Sequence, residues 1–152
     1  MKEQKVKFEF LPAEHVRLED LTYVVIGARE EKGWIFVRHR DRESWELPAG
    51  HIEENETADA AARRELYEET GTTGAEMQVL SDYAVKIDGK TSFGRLYLAR
   101  ITHRDPLPDS EIGENRTAKI SPLPATYPTA HRAFLNLLND FIGHTNSKHH
   151  QK

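Results

Sequence analysis

The sequence predicts an α/β fold in a single domain, and two sets of observations carry that expectation. Several stretches alternate or cluster β-branched and aromatic residues between turn signals, as strands do. Two others space small or apolar residues at helical intervals between recognisable caps. With 152 residues, the chain is long enough to bury about two-thirds of the surface its unfolded form exposes.

In chain order, Val6, Phe8 and Phe10 alternate with Lys7 and Glu9, the pattern of a half-buried strand. Thr22 to Ala28 and Trp34 to Val37 are apolar runs separated by Glu30-Glu31-Lys32-Gly33, which predicts a hairpin. Ser44 to Ile52 holds Pro48 and Gly50 and reads as a loop. A helix is expected from an N-cap at Thr57 to about Thr70, with Gly71 at the position that favours left-handed backbone. Strands follow around Met77 to Ile87 and Phe93 to Ile101, joined by the turn pair Asp88-Gly89. Arg104 to Lys119 is polar, contains Pro106 and Pro108, and reads as a long loop of the kind that often carries function. After Pro128, the stripe Phe134, Leu135, Leu138, Phe141 and Ile142 predicts an amphipathic helix over residues 129 to 142. The expected organisation is one domain over residues 1–143 and a frayed tail from 144 to 152.

Composition narrows the function. Charged residues make up 30% and hydrophobic ones 38% of the chain, a globular balance rather than a disordered one. No apolar run approaches the ~18 residues of a membrane span. Met1 to Lys7 is polar, without the apolar core of a secretory signal. Cysteine is absent, which excludes disulfides and thiolate metal sites. The cytoplasm is the expected compartment. A net charge of −4 offers no large surface for nucleic acid, so no stable nucleic-acid partner is expected.

The first helix is where chemistry is concentrated. On a helical wheel with Glu65 at 0°, Glu69 falls at about 40°, Glu68 at about 300°, and Ala58, Ala61 and Ala62 at about 20°, 320° and 60°. Leu66 flanks the stripe at about 100°, with Arg63 and Tyr67 opposite. A helix laid on a sheet through its alanines would therefore turn carboxylates inward in its last turns. Like charges at i,i+4 cost roughly 0.2–0.5 kcal/mol, and acids near a helix C-terminus oppose the dipole by about 0.3–1 kcal/mol. A hard divalent cation among all-oxygen ligands removes the conflict. The alternative is a solvated acidic face paired with Arg63 and Arg64.

The spacing as a whole decides between them. Gly50, five residues, Glu56, seven residues, then Arg64-Glu65-Leu66-x-Glu68-Glu69-x-Gly71 resembles the Nudix box, GX5EX7REUXEEXGU with U aliphatic. Thr72, standing where the last aliphatic residue is expected, is the one departure. The motif covers residues 50–72. The resemblance implies an α/β/α sandwich with a mixed β-sheet between helices, and a hydrolase of nucleoside diphosphates linked to another moiety. It implies Mg²⁺, or Mn²⁺, on the substrate's pyrophosphate. Glu65 and Glu69 would then be the principal ligands and Glu68 a third, with Glu56 in support. The backbone carbonyl of Ala49 or Gly50 would complete the set. Arg64 would orient the glutamates, and Glu111 or Glu114 in the later loop would compete with a box glutamate as general base. The expected partner is a nucleotide, and family members often form homodimers.

Marks of substrate lie outside the box. ADP-ribose enzymes of this family tend to carry a proline near the position of Asp88, and none occurs between Pro48 and Pro106. The tyrosine typical of dinucleoside polyphosphate hydrolases is absent near Lys90, as is the NADH-type array SQPWPFPxS. These absences favour MutT-like hydrolysis of nucleoside triphosphates, including oxidised ones such as 8-oxo-dGTP, to monophosphate and pyrophosphate. ADP-ribose, nucleotide-sugar or dinucleotide cleavage is the alternative. A non-catalytic nucleotide sensor is the alternative from another class. Candidate substrate contacts are Arg38 and Arg40, with His39 and Arg42 beside them, for phosphates, an exposed basic turn being the alternative, and Tyr83 and Tyr97 for the base, with Phe93 and Tyr127 as further available aromatics.

Overall fold

The computed structural model describes residues 6–150, with side chains through residue 143. Seven strands form one mixed sheet: β1 (Val6–Leu11), β2 (Leu21–Glu30), β3 (Gly33–His39), β4 (Ala49–His51), β5 (Thr72–Ile87), β6 (Lys90–Arg104) and β7 (Ile112–Ala118). Two helices, α1 (Ala58–Thr70) and α2 (Pro128–His150), cover its faces. The strand order is β1-β5-β6-β2-β3-β7, with β4 paired to β2. β2 and β6 run parallel and the other pairings are antiparallel.

A central parallel pair has both faces covered, so β2 is a continuous apolar run rather than an alternating one. Its residues divide by parity. Val24, Ile26 and Ala28 join Ala58, Ala61, Ala62 and Leu66 of α1, with Ile35, Tyr97 and Ala99 from neighbouring strands. Val25 joins the other layer, with Trp34, Phe36, Leu96, Phe134 and Leu138. Gly27 lies on that second face, where any Cβ would overlap the Leu138 side chain. The α1 side is thin and alanine-rich, which brings that helix close to the sheet. The α2 side is thick and aromatic.

Local signals behaved as expected at several points. Thr57 caps α1 by accepting from Ala60 N at 3.1 Å. Gly71 closes the helix in left-handed backbone at φ 79°. The turns at Glu31-Lys32 and Asp88-Gly89 both join hairpins. β5 and β6 are longer than expected, starting at Thr72 and ending at Arg104.

Two expectations need correction. The stretch read as one long loop from Arg104 to Lys119 contains β7, an edge strand paired antiparallel with β3. Only Ile112 of β7 is buried, so its register comes from backbone hydrogen bonds and leaves no apolar alternation to read. The passage before the box is not wholly loop either, since Ala49–His51 adds to β2 as β4. The α2 backbone continues to His150. The expected frayed tail from 144 to 152 thus falls on helical backbone as far as His150, while side chains 144–150 and residues 151–152 lie outside the described residues.

Candidate active site at the C-terminal end of helix α1

The alanine stripe presses α1 onto the sheet, and the same stripe carries its glutamates inward one after another. Glu69 is the deepest, at 5% exposure. Its Oε1 accepts from the Ala49 backbone N–H at 2.8 Å. Burial is the main cause that pushes its pKa up to about 9, with Glu65, Glu46 and Glu111 adding to the rise against the Ala49 hydrogen bond. Glu65 is somewhat less deeply buried, with a side chain 13% exposed, and its pKa is raised too, again by burial first, while Arg64 pulls it down. Glu68 stands at the rim, so the wheel placed it deeper than it lies.

Arg64 organises the outer half of the box. Its Nε and Nη2 donate to Glu56 Oε2 and Oε1 at 2.8 and 2.9 Å, a bidentate fork. Nη1 donates to Glu65 Oε1 at 2.7 Å and stands 3.5 Å from Glu68. Nη2 also donates to the His51 carbonyl at 3.0 Å. Glu56 additionally accepts from Glu53 N at 3.0 Å. The Arg64 hydrogen bonds lead in holding the Glu56 carboxyl down at about 2. The sequence linked Arg64 to Glu65 and Glu68, and the fork on Glu56 is the stronger contact.

The strand beneath the helix explains the box glycine. A Cβ at Gly50 would collide with the Glu65 carboxyl, so only glycine lets that side chain cross β4. The β4–β2 register also separates the two backbone carbonyls left open by the sequence. Ile26 N donates to the Pro48 carbonyl and Ile52 N to the Thr22 carbonyl, with Gly50 opposite Val24 between them. In an antiparallel ladder that alternation directs the Gly50 polar groups to β2 and those of Ala49 away from it. Ala49 N accordingly reaches Glu69, and its carbonyl faces the same side.

Three further groups line the site: His39, expected from the sequence only as a phosphate contact, and Glu46 and Tyr23, which the sequence did not single out. His39, at the end of β3, has Nε2 at 2.8 Å from Glu46 Oε1 and 3.7 Å from Glu69 Oε2. Its Nδ1 is 3.6 Å from Glu111 Oε2. Glu46 is held in place because its backbone exchanges hydrogen bonds with Val37 at 2.8 and 2.9 Å. Tyr23 on β2 meets the His51 ring edge-on at 5.0 Å. Burial, then Glu46 and Glu69, raise the Tyr23 phenol far above its usual range. No spacing in the chain signals this trio, because β3, the 44–46 segment and β2 converge only through sheet pairing.

The other candidates separate clearly. Glu111 adds its charge to that of Glu65 and Glu69. Glu114, expected as an alternative base, instead pairs with Arg38 at 3.6 Å and Arg116 at 3.4 Å. Being three residues on, inside β7, it is carried away from the carboxylates. Arg38 is also held by the Arg42 carbonyl at 2.9 Å, and Arg40 pairs with exposed Asp109 at 3.0 Å. Tyr83 is a core residue packed between Phe8 and Phe134, with no face left for a base. Tyr97 is buried on the α1 side, where its hydroxyl donates to Asp59. Both tyrosines alternate into the interior of strands, which is why they were misplaced as substrate contacts. Tyr127 is the open aromatic, 72% exposed and at φ 48°. Its neighbour Thr126 is tied to Ser44 by side chain and to Trp45 by backbone.

A cation is not preassembled here. Among the described residues, no group of three or more acids and imidazoles is poised to hold a metal ion. Arg64 draws Glu65 aside, and Glu69 is bonded to Ala49. The donor chemistry nevertheless fits a hard divalent ion: Glu65, Glu68, Glu69 and the Ala49 carbonyl supply oxygen alone. Burial first, and then the neighbouring acids, disfavour the charged form of Glu69, and a cation bound among these oxygens would offset that cost.

Comparison with known proteins agrees with this geometry. The NUDIX domain family model matches residues 19–138. An RNA pyrophosphohydrolase of Histophilus somni is 36% identical over 56 residues, 37% of this chain and 29% of that protein. A putative 8-oxo-dGTP diphosphatase, YtkD of Bacillus subtilis, is 37% identical over 68 residues, 45% of this chain and 42% of that protein. The matched stretches therefore span well under half the length of these curated relatives. The crystal structure of the Bacillus subtilis pyrophosphohydrolase BsRppH superposes with a TM-score of 0.65 at 23% identity, over 90% of this chain and 91% of that one. With the family model spanning most of the chain and the box folded onto the sheet, the chain belongs to the NUDIX domain family.

Proposed function

We propose that the protein is a Mg²⁺-dependent nucleotide pyrophosphohydrolase whose substrate carries a 5′-triphosphate. The observation that supports this reading is the box helix folded onto the sheet with Glu69 buried against the Ala49 N–H and Glu65 turned inward beside it. Glu65, Glu68, Glu69 and the Ala49 carbonyl would hold the cation, with Mn²⁺ a competent substitute. When bound, that cation neutralises the polyphosphate and acidifies a water for in-line attack. The chain's own residues do the rest. Arg64 keeps Glu56 and Glu65 in register, and Glu111 accepts the proton of the attacking water. Water adds to one phosphorus, the bridging oxygen leaves with the other phosphates, and the products are monophosphate and pyrophosphate. Arg38 and Arg40 pair with Glu114 and Asp109 without substrate, and would exchange those acids for phosphate oxygens when it binds. Tyr127 replaces Tyr83 and Tyr97 as the aromatic offered to the base.

Free nucleoside triphosphates, including oxidised ones, are the leading substrate. Triphosphate at an RNA 5′ end is a second reading, supported by the relatives named RNA pyrophosphohydrolase. A cytoplasmic setting belongs to the same proposal. The test incubates the protein and Mg²⁺ with canonical and oxidised triphosphates, 5′-triphosphorylated RNA, ADP-ribose and dinucleoside polyphosphates, and identifies products by mass. Monophosphate and pyrophosphate from one free triphosphate support the first reading. Exclusive release from RNA supports the second. Nucleotide binding by titration with no product from any of them would make the protein a sensor instead.

A further inference from the structure

The two halves of the site belong to different parts of the chain, and one side chain from neither joins them. Glu69 lies on α1, Glu111 precedes β7, and His39 ends β3 between them. The His39 Nε2 edge faces Glu46 at 2.8 Å and Glu69 at 3.7 Å, while Nδ1 faces Glu111 at 3.6 Å. The Glu111 carboxylate is otherwise open to water, with a side chain 89% exposed. Its backbone is held separately: Arg40 N donates to the Glu111 carbonyl at 2.8 Å, and the Arg40 guanidinium holds Asp109 at 3.0 Å. The loop thus keeps its path without His39. What His39 adds is a direction for the carboxylate.

We propose that His39 is a positioning residue that turns the Glu111 carboxylate toward Glu69, through Nδ1, while Glu46 and Glu69 anchor its Nε2 edge. Glu46 makes this workable, because the short contact at Nε2 fixes the ring and leaves Nδ1 aimed at the loop. This explains why Glu111 serves the site and Glu114 does not, since no comparable group turns Glu114 inward. Its kinetic consequence rests on the function proposed above.

Amide side chains separate the two edges of the ring. The Asn amide nitrogen falls near the place of Nδ1, and the Gln amide nitrogen near that of Nε2. H39Q therefore keeps the Glu46 and Glu69 contacts and releases Glu111, and H39N does the reverse. Side-chain ¹³C relaxation of Glu111 in the metal-free protein reads this without turnover. Order in wild type and H39N, with rotamer averaging in H39Q, is expected; equal order in all three overturns the proposal. In turnover, H39Q should lower kcat by the same factor as E111Q, on the order of 10², with KM little changed. H39N should lose less than H39Q. The double variant H39Q/E111Q should fall no further than either single one, because both remove one function. Losses that multiply, or a full kcat in H39Q, overturn the proposal. A wild-type protein inactive on every nucleotide, yet with Glu111 ordered by His39, would overturn the proposed function and leave the positioning role standing.

Discussion

Glu56 and Glu69 belong to one motif and face opposite electrostatic problems. Glu56 lies at the mouth of the box, where the Arg64 fork and the Glu53 N–H satisfy both of its oxygens, and its carboxyl is held at about 2. Glu69 lies beneath the helix with a single backbone donor, and burial among other acids raises it to about 9. The protein pairs the first with its own cation and buries the second against a neutral backbone donor. In the proposed metal site, Glu56 would hold the scaffold through Arg64 while Glu69 would take its counter-charge from the ion.

That contrast can be broken at several points. E69Q should lower kcat by roughly 10³-fold, as loss of a charge-bearing group in a reaction centre does. Its metal-free form should melt no lower than wild type above pH 7, because Gln keeps an acceptor for the Ala49 N–H and removes a buried ionisable acid. Normal turnover, or a large drop in melting temperature by calorimetry, would place Glu69 among the structural acids. G50A should cost about 10² in kcat because its Cβ displaces the Glu65 carboxyl. A crystal structure with Glu65 unmoved would contradict that account. R64K keeps the charge but loses the fork, and should weaken Mg²⁺ binding roughly tenfold, measured by titration calorimetry.

The pH dependence has a definite sign. Below about 9 the metal-free Glu69 carboxyl retains its proton, and a cation must displace it. Mg²⁺ affinity should therefore rise with pH between 7 and 9, by at most about tenfold per unit, and binding should release a proton. Calorimetry in buffers of different ionisation enthalpy would show that release; its absence would mean that Glu69 is already ionised. Glu56 behaves in the opposite sense. Its lowered pKa contributes stability that is present above about 4.5 and lost as pH falls towards about 2, visible as an acid shoulder in thermal melts missing from E56Q. The smallest effect is expected at Glu114. E114Q should change kcat less than about twofold, as surface substitutions away from a site do, whereas E111Q should not be silent.

Much of this molecule was legible in its linear order. Helix caps, hairpin turns and the box are local, since each depends on residues within a few positions of one another. The alanine stripe of α1 even carried the orientation of the glutamates, because helical geometry converts spacing into a face. Legibility failed where the answer lay across the sheet. β7 has too few buried residues to announce itself, so its pairing with β3 was missed, and with it the reason that Glu111 and Glu114 part ways. Tyr83 and Tyr97 looked available until strand parity turned both into the core. Sequence alone determined the family and the shared face of the α1 acids, because one short motif on one helix contains them. Tertiary structure decided which acid is buried deepest, which backbone groups face it and which histidine reaches it. Burial and strand register depend on segments far apart in the chain, and no spacing along it encodes their meeting.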